Sequence, residues 1–213
     1  MKPQPLWIVL TGGPCAGKTT ALNAIAKHFD GRVSIAAEAA TQVFANRPTP
    51  TPSWTIDDWH DLQYAITRQQ LTNEYRAQYQ SLKCGYPLVV CDRAPYDNLA
   101  YPAGQGVVRT MASANQVRPM NAYGLVIHLS SLAVAAPHRY SCASNASRYE
   151  SLKEAKALDE RTLAAWSAHP NRVILKNTGT LNDTVKATIR LINVTLAGHQ
   201  GHLSRGTALK RSQ

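Results

Sequence analysis

The sequence predicts an α/β fold in which one five-stranded parallel sheet is flanked by helices, and three observations predict it. Short apolar runs alternate with longer amphipathic stretches, the pattern of strands joined by covering helices. The first run opens into a glycine-rich turn, Gly12-Gly13-Pro14-Cys15-Ala16-Gly17-Lys18-Thr19, that precedes a helical stretch. The third run, "PLVVCD", is apolar nearly to its end, as in a central strand covered on both faces.

The elements follow in order. "LWIVLTG" (Leu6 to Gly12) reads as the first strand and Gly17 to Phe29 as the first helix. A short strand, "RVSIAA" (Arg32 to Ala37), leads into "EAATQVFAN", and "RPTPTPSW" follows, where alternating prolines favour an extended loop. The longest helix begins after Thr55, a plausible N-cap, with Asp57 and Asp58 in the first turn where the helix dipole favours acids. Within it Tyr64, Leu71, Tyr75 and Leu82 recur at helical spacing and are expected to face the core. Pro87 to Asp92 is the third strand, and Tyr123 to Leu129 and Asn171 to Asn177 supply two more, with a helix from Glu150 to Ala168 between them. A last helix from Asn182 to Leu196 ends a single domain of residues 1–196; residues 197–213 read as a basic, mobile tail.

Composition narrows the class. No apolar run approaches the roughly 18 residues of a membrane span, and the N-terminal stretch lacks the form of a secretory signal, so a cytoplasmic protein without a membrane partner is expected. Cys15, Cys84, Cys91 and Cys142 form no CxxC pair and are expected to be reduced thiols. The seven histidines form no zinc-site pattern. The net charge is +10, and it is uneven: up to Ala112 there are 10 basic and 8 acidic residues, beyond it 13 and 5. Such an excess points to a polyanionic partner, nucleic acid first, against the plain alternative of a basic, soluble surface.

Gly12 to Thr19 fits GxxxxGK[ST], the P-loop, in the strand-to-helix setting its mechanism requires. Its backbone N–H groups and the helix N-terminus suit phosphates; Lys18 reaches the terminal phosphates, the Thr19 hydroxyl ligates Mg²⁺, and Thr20 and Arg139 join the ATP-binding set. Asp92 closes the third strand beside this loop, where it can hold Mg²⁺ through water or take a proton from an attacking hydroxyl. Arg93 follows and can grip a phosphate or orient the acceptor. No DxxG appears there, which favours a kinase over a switch GTPase. Glu38, the only charge in "SIAAEAATQ", is a second candidate for acceptor binding or for the base, against an ordinary first-turn acid. "HRYSCASNASRYESLKEAK" carries Arg139, Arg148, Lys153 and Lys156 and suits a flap over transferring phosphates, Arg148 above all. Trp54 and Trp59 flank the end of the Pro-rich loop, where one could stack on a base and the other pack in the core.

Taken in order, "IVLTGGPCAGKTTAL", "AAEAATQVF", "ITRQQLTNEY", "VVCDRAPYDNLAY" and "SRYESLKEAKALDERTL" resemble the P-loop ATPase/kinase family that includes the NadR-type ribosylnicotinamide kinase domain, over Leu6 to Ile192. The resemblance implies a nucleoside-kinase-like core that holds ATP phosphates at Gly12 to Thr19, places Glu38 and Asp92 on the acceptor side, and uses Arg148 and the following helix as a lid. "SNASRYE" lacks the acid that family often carries before the lid arginine. Similar P-loop kinases of bacteriophages phosphorylate 5-hydroxymethyluracil within DNA, an acceptor that suits the positive charge. The expected activity is therefore γ-phosphoryl transfer from ATP to a hydroxyl, with hydroxymethyluracil in DNA as the leading acceptor. A free nucleoside or nucleotide such as ribosylnicotinamide is the alternative, and a nucleotide-dependent binding module the alternative from another class.

Overall fold

The computed structural model describes residues 4–140 and 151–209. Its strands are β1 (Leu6–Thr11), β2 (Val33–Ala36), β3 (Leu88–Asp92), β4 (Leu125–Leu129) and β5 (Arg172–Leu175). They form one parallel sheet in the order β2-β3-β1-β4-β5. Helices α1 (Lys18–His28), α2 (Ala39–Phe44), α3 (Ile56–Cys84), α4 (Gly104–Ser113), α5 (Leu132–Ala135), α6 (Leu152–Ala165) and α7 (Leu181–Leu209) connect and cover it. This is a P-loop NTPase fold, with five parallel strands between helices as the alternating pattern predicts.

Side chains of β1 alternate between two cores, as the two-residue period of a strand requires. Leu6, Ile8 and Leu10 join Ile25, Val90, Ile127 and Ile192 on one face; Trp7 and Val9 join Val89, Val126, Tyr123 and Trp166 on the other. Every residue of β1, β3 and β4 is buried. The register sets Leu10 opposite Asp92 on one side and Ile127 on the other. With no strand between β1 and β3, the acid that closes β3 arrives directly beside the loop that follows β1.

Helix α3 starts as its sequence predicts. Thr55 is the N-cap: its hydroxyl accepts from Asp58 N–H, and the Asp58 carboxylate accepts from the Thr55 N–H at 2.7 Å. Gly85, with φ of 72°, ends it in the left-handed conformation common after helices. Its facing differs in part from expectation. Leu71 and Leu82 are half-buried, Leu71 against Val107, Met111 and Val117, as expected. Tyr64 and Tyr75, however, are 44% and 70% exposed, while the buried face carries Gln63, Thr67, Gln70, Asn73, Glu74 and Ser81 beside Leu62, Ile66 and Ala77. Three of those polar groups find partners inside: Gln70 donates to the Arg93 carbonyl, Asn73 to the Ala37 carbonyl, and Ser81 to the Tyr86 carbonyl. Buried polar groups so satisfied cost little.

Two helices differ in extent from the sequence reading. α4, anchored by Val107, Val108 and Met111, lies in a stretch whose two glycines mask its periodicity. α7 runs through Gly198 and Gly201 to Leu209, past the expected end at Leu196. Among the described residues, no helix is long and apolar enough to cross a membrane, and Cys15, Cys84 and Cys91 form no disulfide.

Candidate functional site

The loop between β1 and α1 has the conformation its glycines allow. Gly12 has φ of 132°, and a Cβ there would run into the Leu129 carbonyl oxygen. Gly17, the residue before α1, has φ of 83°. Cys15 takes a positive φ of 56° inside the same loop. The Lys18 ammonium curls back to donate to the carbonyls of Gly12 and Gly13, each at 3.0 Å. Burial, reinforced by nearby Arg93, lowers its pKa to about 8, against the opposing pull of Asp92, Glu38 and Asp97.

The acids predicted at the carboxyl edge of the sheet are brought together there. Asp92 is 7% exposed, and its Oδ1 is buried without a hydrogen-bond partner among the described residues. Burial raises its pKa to about 6, although Lys18 and Arg93 pull it down. Arg93 leaves β3 with a positive φ of 64°, which turns its side chain back across the edge. Its Nε donates to Glu38 at 3.0 Å and its NH1 to Asp97 at 3.3 Å. Glu38 also accepts from the Thr41 hydroxyl at 2.8 Å. Burial would raise the Glu38 pKa, but Arg93, Lys18 and the Thr41 hydrogen bond outweigh it and hold it at about 2. The two candidate acids thus differ: Glu38 is a paired, permanently ionised anchor, and Asp92 is an unpaired group that changes protonation nearer neutrality.

A single cavity of about 830 Å³ joins these groups. Pro14 to Thr20, Glu38, Asp92, Arg93 and Arg139 line it, and so does a wall from α2 and α3 that includes Phe44, Trp59, Gln63 and Ile66. Thr19 and Thr20 are exposed at the start of α1. Arg139 reaches the Gly179 carbonyl with its NH1 at 3.3 Å. Of the paired tryptophans, whose rings meet edge to face at 5.6 Å, Trp59 lines the cavity. Gly12 and Gly13 do not line it; they hold Lys18 through their carbonyls. Arg148, the proposed lid arginine, lies outside the described residues.

Two residues of this region gave no signal in the sequence reading. Asp97 is buried beneath Arg93 and accepts from the Thr11 hydroxyl, the Ala94 N–H at 3.1 Å and the Trp166 indole N–H at 3.1 Å. It fixes the ends of β1 and β3 and the C-terminus of α6 relative to each other. Asp159, on α6, accepts from the Gly13 N–H at 2.7 Å and the Ser131 N–H at 3.0 Å. The spacing Asp92-Arg93-x-x-x-Asp97 is the one available hint, since i and i+4 meet across a helical turn.

The oxygens present fit a small hard cation. Asp92 offers an unpaired buried carboxylate oxygen, and Thr19 an exposed hydroxyl, on one cavity; Mg²⁺ takes few protein ligands and completes its shell with phosphate and water. Among the described residues no three His, Cys, Asp or Glu side chains cluster as a self-sufficient metal cage. A family model described as an AAA domain matches residues 7–183. No curated protein matches the chain.

Proposed function

The chain belongs to the AAA domain family of P-loop nucleotide-binding proteins, and on that premise we propose that it is an ATP-dependent kinase that phosphorylates a hydroxyl group. One observation carries the proposal: the cavity that holds the phosphate loop also contains an unpaired carboxylate and an aromatic and amide-bearing wall. A hydrolase or switch needs room for water beside the γ-phosphate; a chamber of this size and lining suits an organic acceptor.

In the proposed reaction Gly12 to Thr19 cradle the triphosphate, and Lys18 leaves the Gly12 and Gly13 carbonyls for the β- and γ-phosphates. Thr19 and Asp92 would hold Mg²⁺, which supplies charge neutralisation across the phosphates. Asp92 takes the acceptor proton as the acceptor oxygen bonds to the γ-phosphorus; the bond from that phosphorus to the β–γ bridging oxygen breaks and ADP departs. The position of Asp92 on the cavity, with its Oδ1 buried and unpartnered among the described residues, supports this assignment, and the ion pair of Glu38 with Arg93 supports an orienting role for Glu38. Arg139, which lines the cavity, would meet the donor nucleotide; Arg148, assigned from the sequence alone, would meet the transferring phosphoryl group.

The favoured acceptor is the hydroxymethyl group of 5-hydroxymethyluracil in DNA. The excess of 23 basic over 13 acidic residues supports a polyanionic substrate, and a flipped-out base is a planar body that the cavity can enclose. The cavity also suits a free nucleoside such as ribosylnicotinamide, the second reading. Transfer of labelled γ-phosphate from ATP to hydroxymethyluracil DNA, thymine DNA and free nucleosides, read by mass spectrometry of digested products, separates them. Phosphate on hydroxymethyluracil DNA alone is the expected result. Label on free nucleosides alone overturns the DNA acceptor, and tight nucleotide binding with no labelled acceptor overturns the kinase.

A further inference from the structure

Between Tyr64 and Lys83 helix α3 turns one continuous face to solvent. The exposed residues are Tyr64, Arg68, Thr72, Tyr75, Arg76, Tyr79, Gln80 and Lys83, spaced by three and four residues and their direct neighbours. Tyr75 and Tyr79 are 70% and 59% exposed, an unusual state for two large rings one turn apart. The charges on this face share one sign. The only acid in the segment is Glu74, and it is buried on the other side against the Tyr123 hydroxyl, which donates to both its carboxylate oxygens at 3.0 Å. The acids Asp57, Asp58 and Asp61 are confined to the first turns of the helix. Arg68 already packs over an aromatic ring here, its guanidinium 5.9 Å from the Tyr64 centroid.

Rings that alternate with cations along a straight track are what a single nucleic-acid strand needs: faces on which bases stack and charges that follow its phosphates. Arg68 and Arg76 are about 12 Å apart along the axis at 1.5 Å per residue, and the exposed stretch is about 28 Å long. A protein partner of ordinary surface would not call for charge of one sign. A lipid surface would, but it also takes an apolar face of Trp, Phe or Leu, and between Tyr64 and Lys83 the exposed rings are tyrosines alone. The same helix lines the cavity with Trp59, Gln63 and Ile66 on its other side, so the Tyr64–Arg68 end of the outer face lies level with the site and the Tyr75–Lys83 end leads away from it.

We infer that the outer face of α3, through Arg68, Tyr75, Arg76 and Tyr79, binds a single-stranded segment of DNA flanking the acceptor nucleotide. This rests on the reading that the acceptor is carried on DNA, and it names the surface that would hold that DNA. Binding of a short fluorescein-labelled single-stranded oligonucleotide is measured by anisotropy across a salt series, without ATP, so that catalysis plays no part. For Arg68→Gln/Arg76→Gln the expected result is at least about tenfold weaker binding, with the log–log salt slope shallower by about 1 to 1.5. For Tyr75→Ala/Tyr79→Ala it is about fivefold or greater weakening with the slope retained. Lys186→Gln/Arg190→Gln on α7 removes the same charge from another exposed surface and is expected to change binding little. Unchanged binding in both α3 variants overturns the inference, as does an equal loss in the α7 control, which would mark simple net charge. If the wild-type protein phosphorylates no DNA while the α3 variants still lose oligonucleotide binding, the acceptor reading fails and the surface stands.

Discussion

The Asp159 carboxylate accepts the Gly13 N–H at 2.7 Å, which fastens α6 to the phosphate loop from behind. The same oxygen accepts the Ser131 N–H and lies 3.3 Å from Nε2 of buried His128, so one atom holds the ends of β1 and β4 and a helix together. A Cβ on Gly13 would stand 2.7 Å from that oxygen, which explains a glycine there without reference to phosphate. Burial would raise the Asp159 pKa, but the His128 imidazole and the two backbone donors lower it below the usual carboxylate range. A carboxylate with a depressed folded pKa stabilises the protein above its unfolded pKa, and the contribution fades as pH falls through the folded value. Asp159→Ala leaves two buried N–H groups without an acceptor and is expected to cost about 3 kcal/mol and to weaken ATP binding. Chemical denaturation and nucleotide titration check this; an unchanged midpoint would show that the loop holds its own shape.

Asp92 and Glu38 are separated by substitution. Asp92→Asn removes the proposed base with little change in volume and should lower phosphoryl transfer by about 10²–10⁴, with the fold intact by circular dichroism. Glu38→Gln leaves Arg93 with Asp97 as its remaining close anion and should raise the acceptor KM more than it lowers kcat, at a stability cost of about 1–2 kcal/mol. Undiminished turnover in the Asp92→Asn enzyme transfers the base role to Glu38.

These roles were only partly legible in the sequence. The phosphate loop and the terminal acid of β3 are local patterns, and both stand where the residue order puts them. The salt bridge from Arg93 to Glu38 was not, because it joins residues 55 apart and depends on the positive φ of Arg93. Asp97 and Asp159 were hidden for a related reason: a buried acid is recognised by the donors that surround it, and those come from distant strands. The misreading of α3 has a different origin. Period 3.6 fixes which residues share a face but not which face is inside, and here the inner face must satisfy loop carbonyls and line a cavity. Polar residues therefore turned inward and tyrosines outward.

Glu74 gives a pH signature away from the cavity. Its burial raises the pKa to about 7 despite the Tyr123 hydrogen bonds and the nearby Arg118 charge. The folded state therefore keeps a proton that the unfolded chain releases near its ordinary value of 4.5. Stability falls as pH rises across that window and stays reduced above it, by about 3 kcal/mol in all. Glu74→Gln abolishes this titration and can still accept from Tyr123. Its stability relative to wild type should improve from about pH 5 to about pH 8 in urea unfolding; a difference independent of pH would overturn the assignment.

Gln63 separates binding from stability. It is 1% exposed, lines the cavity from α3, and its Oε1 has no hydrogen-bond partner among the described residues. A buried carbonyl left unpaired costs the protein about 1–3 kcal/mol, so Gln63→Leu, which removes the polar group at similar volume, should leave the fold as stable or raise its midpoint. If the carboxamide turns to meet an acceptor, the same substitution raises the acceptor KM about tenfold, since a site built to hydrogen-bond a polar edge loses discrimination without it. The KM for ATP should be unchanged, because Gln63 lies on the α3 wall and takes no part in the phosphate loop. Steady-state kinetics with each substrate varied in turn supply the readout. A lower unfolding midpoint with both KM values unchanged would make Gln63 a packing residue alone.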